Sequence, residues 1–222
     1  MIEKYLPNVK WENVWQSTME TLSMTAISVL LTFIIGLILG LALFLTSKGN
    51  LWENKSLNVT IASFVNIFRS IPFIILIILL IPFTSLVMGT MLGVKGALPA
   101  LIIGSAPFYA RMVEIALREI DKGVIEAAKS MGATTSTIIW KVLIPESLPA
   151  IISGITVTAI ALVGYTAMAG TVGAGGLGTL AYLEGYHRSN LDVTFVATIL
   201  ILVIVFIIQL IGDIITSIID KR

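Results

Sequence analysis

Long runs of apolar residues constrain this chain more than any other feature of its sequence. In residues 193–212, twenty consecutive positions carry no Asp, Glu, Lys or Arg. About 20 apolar residues in a helix cross a hydrocarbon core of roughly 30 Å, and a helix satisfies its own backbone hydrogen bonds there. Several such runs predict an all-α polytopic membrane protein.

The composition supports this class. The chain is 57% hydrophobic and only 12% charged, with a mean hydropathy of +1.00. One soluble core of 222 residues could not bury that much apolar surface. The net charge of +1 gives no general attraction to nucleic acid, so no nucleic-acid partner is expected. Because the chain has no cysteine, a disulfide scaffold and a thiolate metal site are excluded.

About five membrane spans are predicted from the charge-free windows. They are residues 21–47, 70–94, 96–110 with a helical continuation to 118, 147 to about 168, and 193–212. The start of the second span stays open, because the apolar stretch 57–68 allows an earlier start that leaves Arg69 inside the bundle. A glycine-rich loop or re-entrant turn is expected after residue 168. Charged residues precede the first apolar run, unlike in a signal peptide, so we expect that span to be retained.

The basic residues predict the orientation, because translocated loops are depleted in Lys and Arg. Five spans place the termini on opposite sides of the membrane. The side expected to be cytoplasmic collects Lys48, Lys55, Arg69, Arg111, Arg118, Lys122, Lys129, Lys141, Lys221 and Arg222, and the other side has Lys4, Lys10, Lys95 and Arg188. The N-terminus is therefore expected outside, and the C-terminus inside.

A polar segment separates the third and fourth spans. It contains EAAKSMG at residues 126–132 and VLIP at residues 142–145. The pattern predicts a short helix over 122–131 that ends at Gly132, then a second helix to 143 with Thr134 or Thr135 as its N-cap. Upstream, Arg111, Glu114 and Arg118 have the spacing of ion pairs on one helix face.

This segment resembles the EAA loop of permease subunits of bacterial ABC importers, with Val142 and Ile144 as conservative departures. The resemblance implies one transmembrane permease domain, residues 1–222, with a cytoplasmic coupling loop at about 119–146 that docks on an ATPase. It implies Glu126 as a charged contact, Gly132 as the turn and Pro145 as the restart of the fourth span. The complete set of residues assigned to coupling is Glu126, Ala127, Ala128, Met131, Gly132, Ala133 and Pro145, with Ala127 and Ala128 as a close-packing face.

Three further segments, residues 66–76, 106–114 and 162–170, resemble the methionine importer permeases. This narrower resemblance implies a homodimer around a central path, two cytoplasmic ATPase subunits that carry ATP and Mg²⁺, and an external substrate-binding lipoprotein. It places the chain in the bacterial cytoplasmic membrane as a multi-pass protein that works by alternating access. The permease is then no enzyme, and it holds no cofactor of its own.

Other motifs are assigned to packing. Residues 173–178 match G-x-G-x-x-G, but the strand that precedes this motif in dinucleotide-binding proteins is missing, so a tight turn or close packing is predicted. Gly36 with Gly40, and Gly89 with Gly93, have the G-x-x-x-G spacing and are also predicted packing sites. The sequence has no phosphate-binding loop, since the dipeptide Gly-Lys does not occur. His187 is the single histidine, so neither a metal site nor a catalytic group is predicted.

Polar residues within the spans mark a candidate path. Ser63, Asn66, Tyr165 and Met168 either line a translocation path or form contacts between helices. Tyr165 and Met168 are three residues apart and are predicted to share one helix face as a gate. Two alternative functions remain: an ion-coupled secondary amino-acid carrier, and an ABC permease for another small amino acid. Carriers place acidic residues deep in their spans, and here Glu114 and Asp213 lie near the predicted span ends.

Overall fold

The protein is helical throughout the residues that the structure, a computed structural model, describes, which are 6–220. The α-helices are α1 Trp11–Thr46, α2 Lys55–Ser70, α3 Phe73–Leu79, α4 Ile81–Met88, α5 Gly93–Arg118, α6 Lys122–Ser130, α7 Thr135–Ile138, α8 Ile144–Gly170, α9 Gly176–Thr179 and α10 Leu191–Ile219. Two π-helical turns join them, Ile139–Leu143 between α7 and α8 and Leu180–Tyr186 after α9.

Four helical segments are long and apolar enough to cross a bilayer. They are Trp11–Thr46, Gly93–Arg118, Thr135–Gly170 and Leu191–Ile219. A fifth crossing is obtained when α2 and α3, which meet at an angle of 104°, are counted as one broken span. The predicted all-α membrane fold is confirmed, and its second crossing differs from a simple helix.

The second crossing begins earlier than residue 70 and is broken. Pro72 is the N-cap of α3, and a second proline lies at the start of α4. Because proline fixes φ and lacks an N–H, each one ends the preceding helix and begins another. A Cβ on Gly104 would lie 3.2 Å from Leu76 and 3.3 Å from Phe73, so the elbow between α2 and α3 lies beside the middle of α5.

This geometry changes the charge count that predicted the orientation. Arg69 is the penultimate residue of α2 and lies at the elbow between α2 and α3, so it is left out of the count for the cytoplasmic side, and the orientation itself stays a prediction. Lys4, Lys221 and Arg222 lie outside the described residues. The excess of basic residues on the predicted inner side therefore persists without Arg69.

The first and fourth spans have longer helices than predicted. Helix α1 starts at Trp11, because a helix tolerates polar residues in its first turns that a hydropathy window excludes. At the fourth span, Pro145 lies in the first turn of α8, as predicted for a restart, and the π-helical turn and α7 before it make Thr135–Gly170 helical throughout. The Ile144 N–H donates to the Ile139 carbonyl, five residues back. Since Pro145 has no N–H to continue the normal pattern, a π-helical turn accommodates it.

Helix α1 packs closely on α5 through glycines. A Cβ on Gly36 would lie 2.6 Å from Cδ1 of Tyr109, and one on Gly40 would lie 2.6 Å from the Ala110 carbonyl oxygen. The predicted packing role of this pair is confirmed. The prediction for Gly89 and Gly93 is wrong: both have positive φ values, of 70° and 71°, and open space where a Cβ would lie. They form turns at the end of α4 and the start of α5.

The glycine-rich segment after α8 turns back against α1. The Gly176 N–H donates to the Glu20 carboxylate at 2.7 Å, and the Leu177 N–H donates to Thr21 Oγ1 at 2.8 Å. A Cβ on Gly178 would lie 2.4 Å from the Ala167 carbonyl oxygen. The segment is thus a turn that packs closely, as predicted, and its backbone amides bind side chains of α1.

Candidate functional site

Helix α6 has defined caps at both ends. The Asp121 carboxylate accepts the Gly123 N–H at 2.7 Å. At the other end the Gly132 N–H donates to the Lys129 carbonyl at 2.9 Å, and the Ala133 N–H donates to the Ala128 carbonyl at 3.1 Å. This is the Schellman arrangement, which needs a left-handed residue, and Gly132 has a φ of 78°. The predicted helix and its glycine turn are both present.

The two alanines of the EAA segment differ in burial. Ala128 is buried with Ile125 in a cluster that includes Leu117 and Ile138. Ala127 and Glu126 are exposed. The two alanines do not share one buried face within this chain, because adjacent residues on a helix point about 100° apart, and their role against an ATPase stays a prediction. Ala128 packs α6 against the chain's own core, and Ala127 is exposed on a different side of the helix.

Helix α6 exposes an apolar strip. Val124, Ala127 and Met131 have helical spacing, and Val124 and Met131 are 45% and 81% exposed. Together with Glu126 these residues are called the coupling surface below. Trp140, 64% exposed, adds a further large apolar side chain in the following π-helical turn. Large exposed apolar groups within a polar segment are typical of a protein docking surface.

A buried ion pair fixes the end of α5 that leads into this segment. Glu114 is 1% exposed, and its two carboxylate oxygens contact Arg111 and Arg118, each at 2.5 Å. A buried carboxylate is tolerated only with such partners. The predicted pairs are confirmed. Farther along, Thr134 is the N-cap of α7, since its hydroxyl accepts the Thr137 N–H at 3.3 Å.

The candidate path residues lie on two helices. Ser63 and Asn66 are exposed on α2. On α8, the Tyr165 ring stacks on Phe73 with ring centroids 4.5 Å apart and planes within 8°. Met168 is 47% exposed, and a Cβ on Gly164, one turn away, would meet nothing within 4 Å. Tyr165 therefore packs within the chain, whereas Gly164 and Met168 leave one face of α8 open.

The family of the chain follows from comparison with known sequences. A model of the family described as binding-protein-dependent transport system inner membrane component matches residues 32–222. The chain belongs to this permease family.

Two curated relatives match this permease along nearly its whole length. The methionine import system permease protein MetP of Bacillus subtilis (strain 168) is 72% identical over 222 residues, which is 100% of both chains. The probable D-methionine transport system permease protein MetI of Pasteurella multocida (strain Pm70) is 50% identical and covers 96% of this chain and 98% of its own.

Solved structures show the same fold. A chain from the MetNI methionine ABC transporter in inward-facing conformations superposes with a TM-score of 0.92 at 46% identity, covering 94% of this permease and 96% of that chain. A second crystal form of the same transporter gives a TM-score of 0.90 at 47% identity. Those structures are described as inward facing, and the permease resembles them closely in backbone geometry.

Two contacts of the permease are not predicted from the sequence. Glu20 and Thr21 bind the glycine-rich turn, and nothing in their local pattern indicates a partner so distant in sequence. Arg69 lines a cavity with Tyr165, Phe68 and Phe108. The signal for Arg69 was present, since a lone arginine between two apolar runs is unusual.

His187 is exposed, and its ring meets that of Tyr182 edge-on, with the ring centroids 4.8 Å apart. Among residues 6–220, no cluster of metal-ligating side chains occurs.

Gly132 provides a direct test of the coupling surface. We expect Gly132→Val to reduce transport by the assembled importer about tenfold or more, because a β-branched residue in the left-handed region costs about 1–2 kcal/mol and disrupts the end of α6. Gly132→Asn is the matched control, since Asn adopts that region more readily and no atom lies near the added side chain. Uptake would be measured in proteoliposomes at equal permease content. Normal uptake by Gly132→Val would contradict the role of the turn.

Proposed function

We propose that this chain is the permease subunit of an ATP-driven methionine importer. The observation that carries the proposal is the 72% sequence identity, over all 222 residues, between this chain and a permease named for methionine import. The exposed coupling surface on α6 supports the same function, because an importer subunit without a phosphate-binding loop must receive its energy from a partner. A secondary carrier would need no such surface.

The proposed assembly has two copies of this chain, two cytoplasmic ATPase subunits and an external substrate-binding lipoprotein. The chain forms one transmembrane domain over residues 1–222, with the coupling loop at about 119–146. Val124, Ala127 and Met131 enter a groove on the ATPase, and Glu126 makes a charged contact at its edge. ATP and Mg²⁺ are held by the ATPase subunits, whose closure moves the spans from an inward-open to an outward-open state.

Force reaches the spans through two connections. Ala128 and Ile125 join α6 to the cluster that contains Leu117 of α5. The helical segment Thr135–Gly170 connects the coupling loop directly to the open face of α8. A displacement of the ATPase subunits would therefore move α5 and α8 together, which is what alternating access requires.

Reconstituted uptake tests the proposed function. Proteoliposomes that contain this permease, its ATPase subunits and the binding lipoprotein are expected to accumulate radiolabelled L-methionine only when Mg-ATP is supplied on the ATPase side. The control is the same preparation with a nonhydrolysable ATP analogue. Uptake driven by an ion gradient without the ATPase would favour the carrier, and preferential uptake of another amino acid would favour a permease of different specificity.

The proposed orientation has the N-terminus outside and the C-terminus in the cytoplasm, and cysteine labelling tests it. A cysteine at Ser136, exposed beside α6, is expected to react with an impermeant thiol reagent only after the membrane is opened. A cysteine at Ser189, exposed in the loop before α10, is expected to react in intact cells. The chain has no native cysteine to give background labelling. The reverse pattern would contradict both the orientation and the cytoplasmic docking.

We further propose that Met168 forms the gate of a path that Ser63 and Asn66 line. Gly164 and Met168 present an open face of α8 on which a second copy can approach closely. Methionine suits a gate because its flexible apolar side chain seals against water and repacks when helices separate. Tyr165 is the other residue of the predicted gate. Its ring stacks on Phe73, so it supports α8 from within the chain and does not lie on the open face.

Crosslinking tests the gate. Met168→Cys in the dimeric importer is expected to form a disulfide across the two-fold axis in the resting state, because the two open faces of α8 meet there. The yield should fall about fivefold or more when a nonhydrolysable ATP analogue separates these helices, as in a population shift of about 1 kcal/mol. Val157→Cys, on another exposed position of α8, is the control. An unchanged yield, or no crosslink in either state, would exclude Met168 from the gate.

A further inference from the structure

Arg69 differs from the other arginines that the structure describes. Arg111 and Arg118 pair with Glu114, and Arg188 pairs with Glu184 at 2.6 Å. The Arg69 guanidinium makes no ion pair or hydrogen bond with any residue in 6–220. It is a permanent cation, because guanidinium does not lose its proton in proteins. Its counter-charge must come from something other than the described part of this chain.

Arg69 lines a cavity of about 260 Å³ at the elbow between α2 and α3. The walls are aromatic and aliphatic, and no acidic residue lines them. They include Phe68, Phe73, Phe108, Gly104 and Tyr165. Phe73 and Tyr165 form the stacked pair of rings that joins α3 to α8. Because Gly104 lies near the middle of α5, the cavity lies beside the middle of a helix that is long and apolar enough to cross a membrane.

A charge beside the middle of a membrane span is costly unless it faces water or a partner. Ionisable residues within spans face the bundle interior or a cavity, and they mark substrate paths. A guanidinium recognises a carboxylate through two parallel hydrogen bonds. Aromatic walls bind apolar side chains, and a thioether sulfur gains from contact with a ring edge. A small cavity lined by a single cation and several aromatic rings therefore matches the carboxylate and apolar side chain of one amino acid.

We propose that this cavity is a binding site for the transported amino acid within the permease. Arg69 binds the α-carboxylate, and the rings of Phe73, Phe108 and Tyr165 surround the apolar side chain. The proposal rests on the proposed function as an amino-acid importer and extends it. It gives this chain a share in substrate selection, beyond what an external binding protein supplies.

The test uses the complete importer in proteoliposomes with radiolabelled L-methionine. Arg69→Gln is expected to lower uptake about tenfold or more, the size expected from losing a hydrogen bond to a charged group. ATP hydrolysis stimulated by the methionine-loaded binding protein is expected to persist, because Arg69 lies away from the coupling surface. Arg69→Lys should restore part of the uptake, since it keeps the charge. Lys55→Gln removes an exposed cation from the same helix, and it is expected to behave like the unaltered protein.

Direct binding provides the second measurement. Saturation-transfer NMR of the permease–ATPase complex, without binding protein, is expected to show L-methionine signals that fall about fivefold or more in Arg69→Gln, as the lost charge-assisted contact requires. L-Methioninol, which lacks the carboxylate, is expected to give equally weak signals in both proteins. Ligand bound to the ATPase subunits contributes equally to both and cancels in the comparison.

Each outcome separates the two proposals. Normal uptake and normal NMR signals in Arg69→Gln would overturn the binding site. Loss of stimulated ATP hydrolysis together with uptake would also overturn it, because Arg69 would then hold the assembly together, for instance as an ion pair with the second copy. Absence of ATP-dependent uptake by the unaltered importer would instead contradict the proposed function.

Discussion

The close contact between α1 and α5 determines where the remaining elements lie. Without side chains at Gly36 and Gly40, the α1 backbone approaches Tyr109 and Ala110 directly. Apolar side chains gain little from leaving lipid, so membrane helices associate through such close packing rather than through hydrophobic burial. Helix α5 thereby becomes the central helix of the subunit. Its middle contacts α3 beside Gly104, and its C-terminal part carries Glu114 ahead of the proposed coupling loop.

The coupling loop, at about residues 119–146, packs against the buried core of the chain. Ile125 and Ala128 are buried against Leu117 and Ile138, and the arginine–glutamate cluster fixes the preceding turn of α5. A mobile loop would absorb a displacement, whereas a packed segment of this kind is suited to the proposed transmission of movement from the ATPase. The π-helical turn before Pro145 has the same effect, because it keeps Thr135–Gly170 helical across a residue that would otherwise break the connection.

The sequence predicts those features that depend on local chemistry. Hydropathy identifies the spans, and Gly132 after an Ala-rich turn identifies the end of α6. Features that depend on distant contacts were missed or wrongly predicted. Gly36 and Gly89 belong to identical G-x-x-x-G spacings, but only Gly36 faces another helix. The elbow at Arg69 was left open because a hydropathy window cannot distinguish a charge at a span end from a charge at a break within a span.

Two of the places where the chain leaves helical geometry, the glycine-rich turn and the elbow, differ in how they are stabilised. Irregular backbone at membrane depth is tolerated only where protein or a cavity surrounds it. At the glycine-rich turn, Glu20 and Thr21 accept backbone N–H groups, so the turn is completed by its own chain. At the elbow, the neighbouring cation has no such partner and faces a cavity. The first break is thus structural, whereas the second retains an unmet charge that a ligand can neutralise.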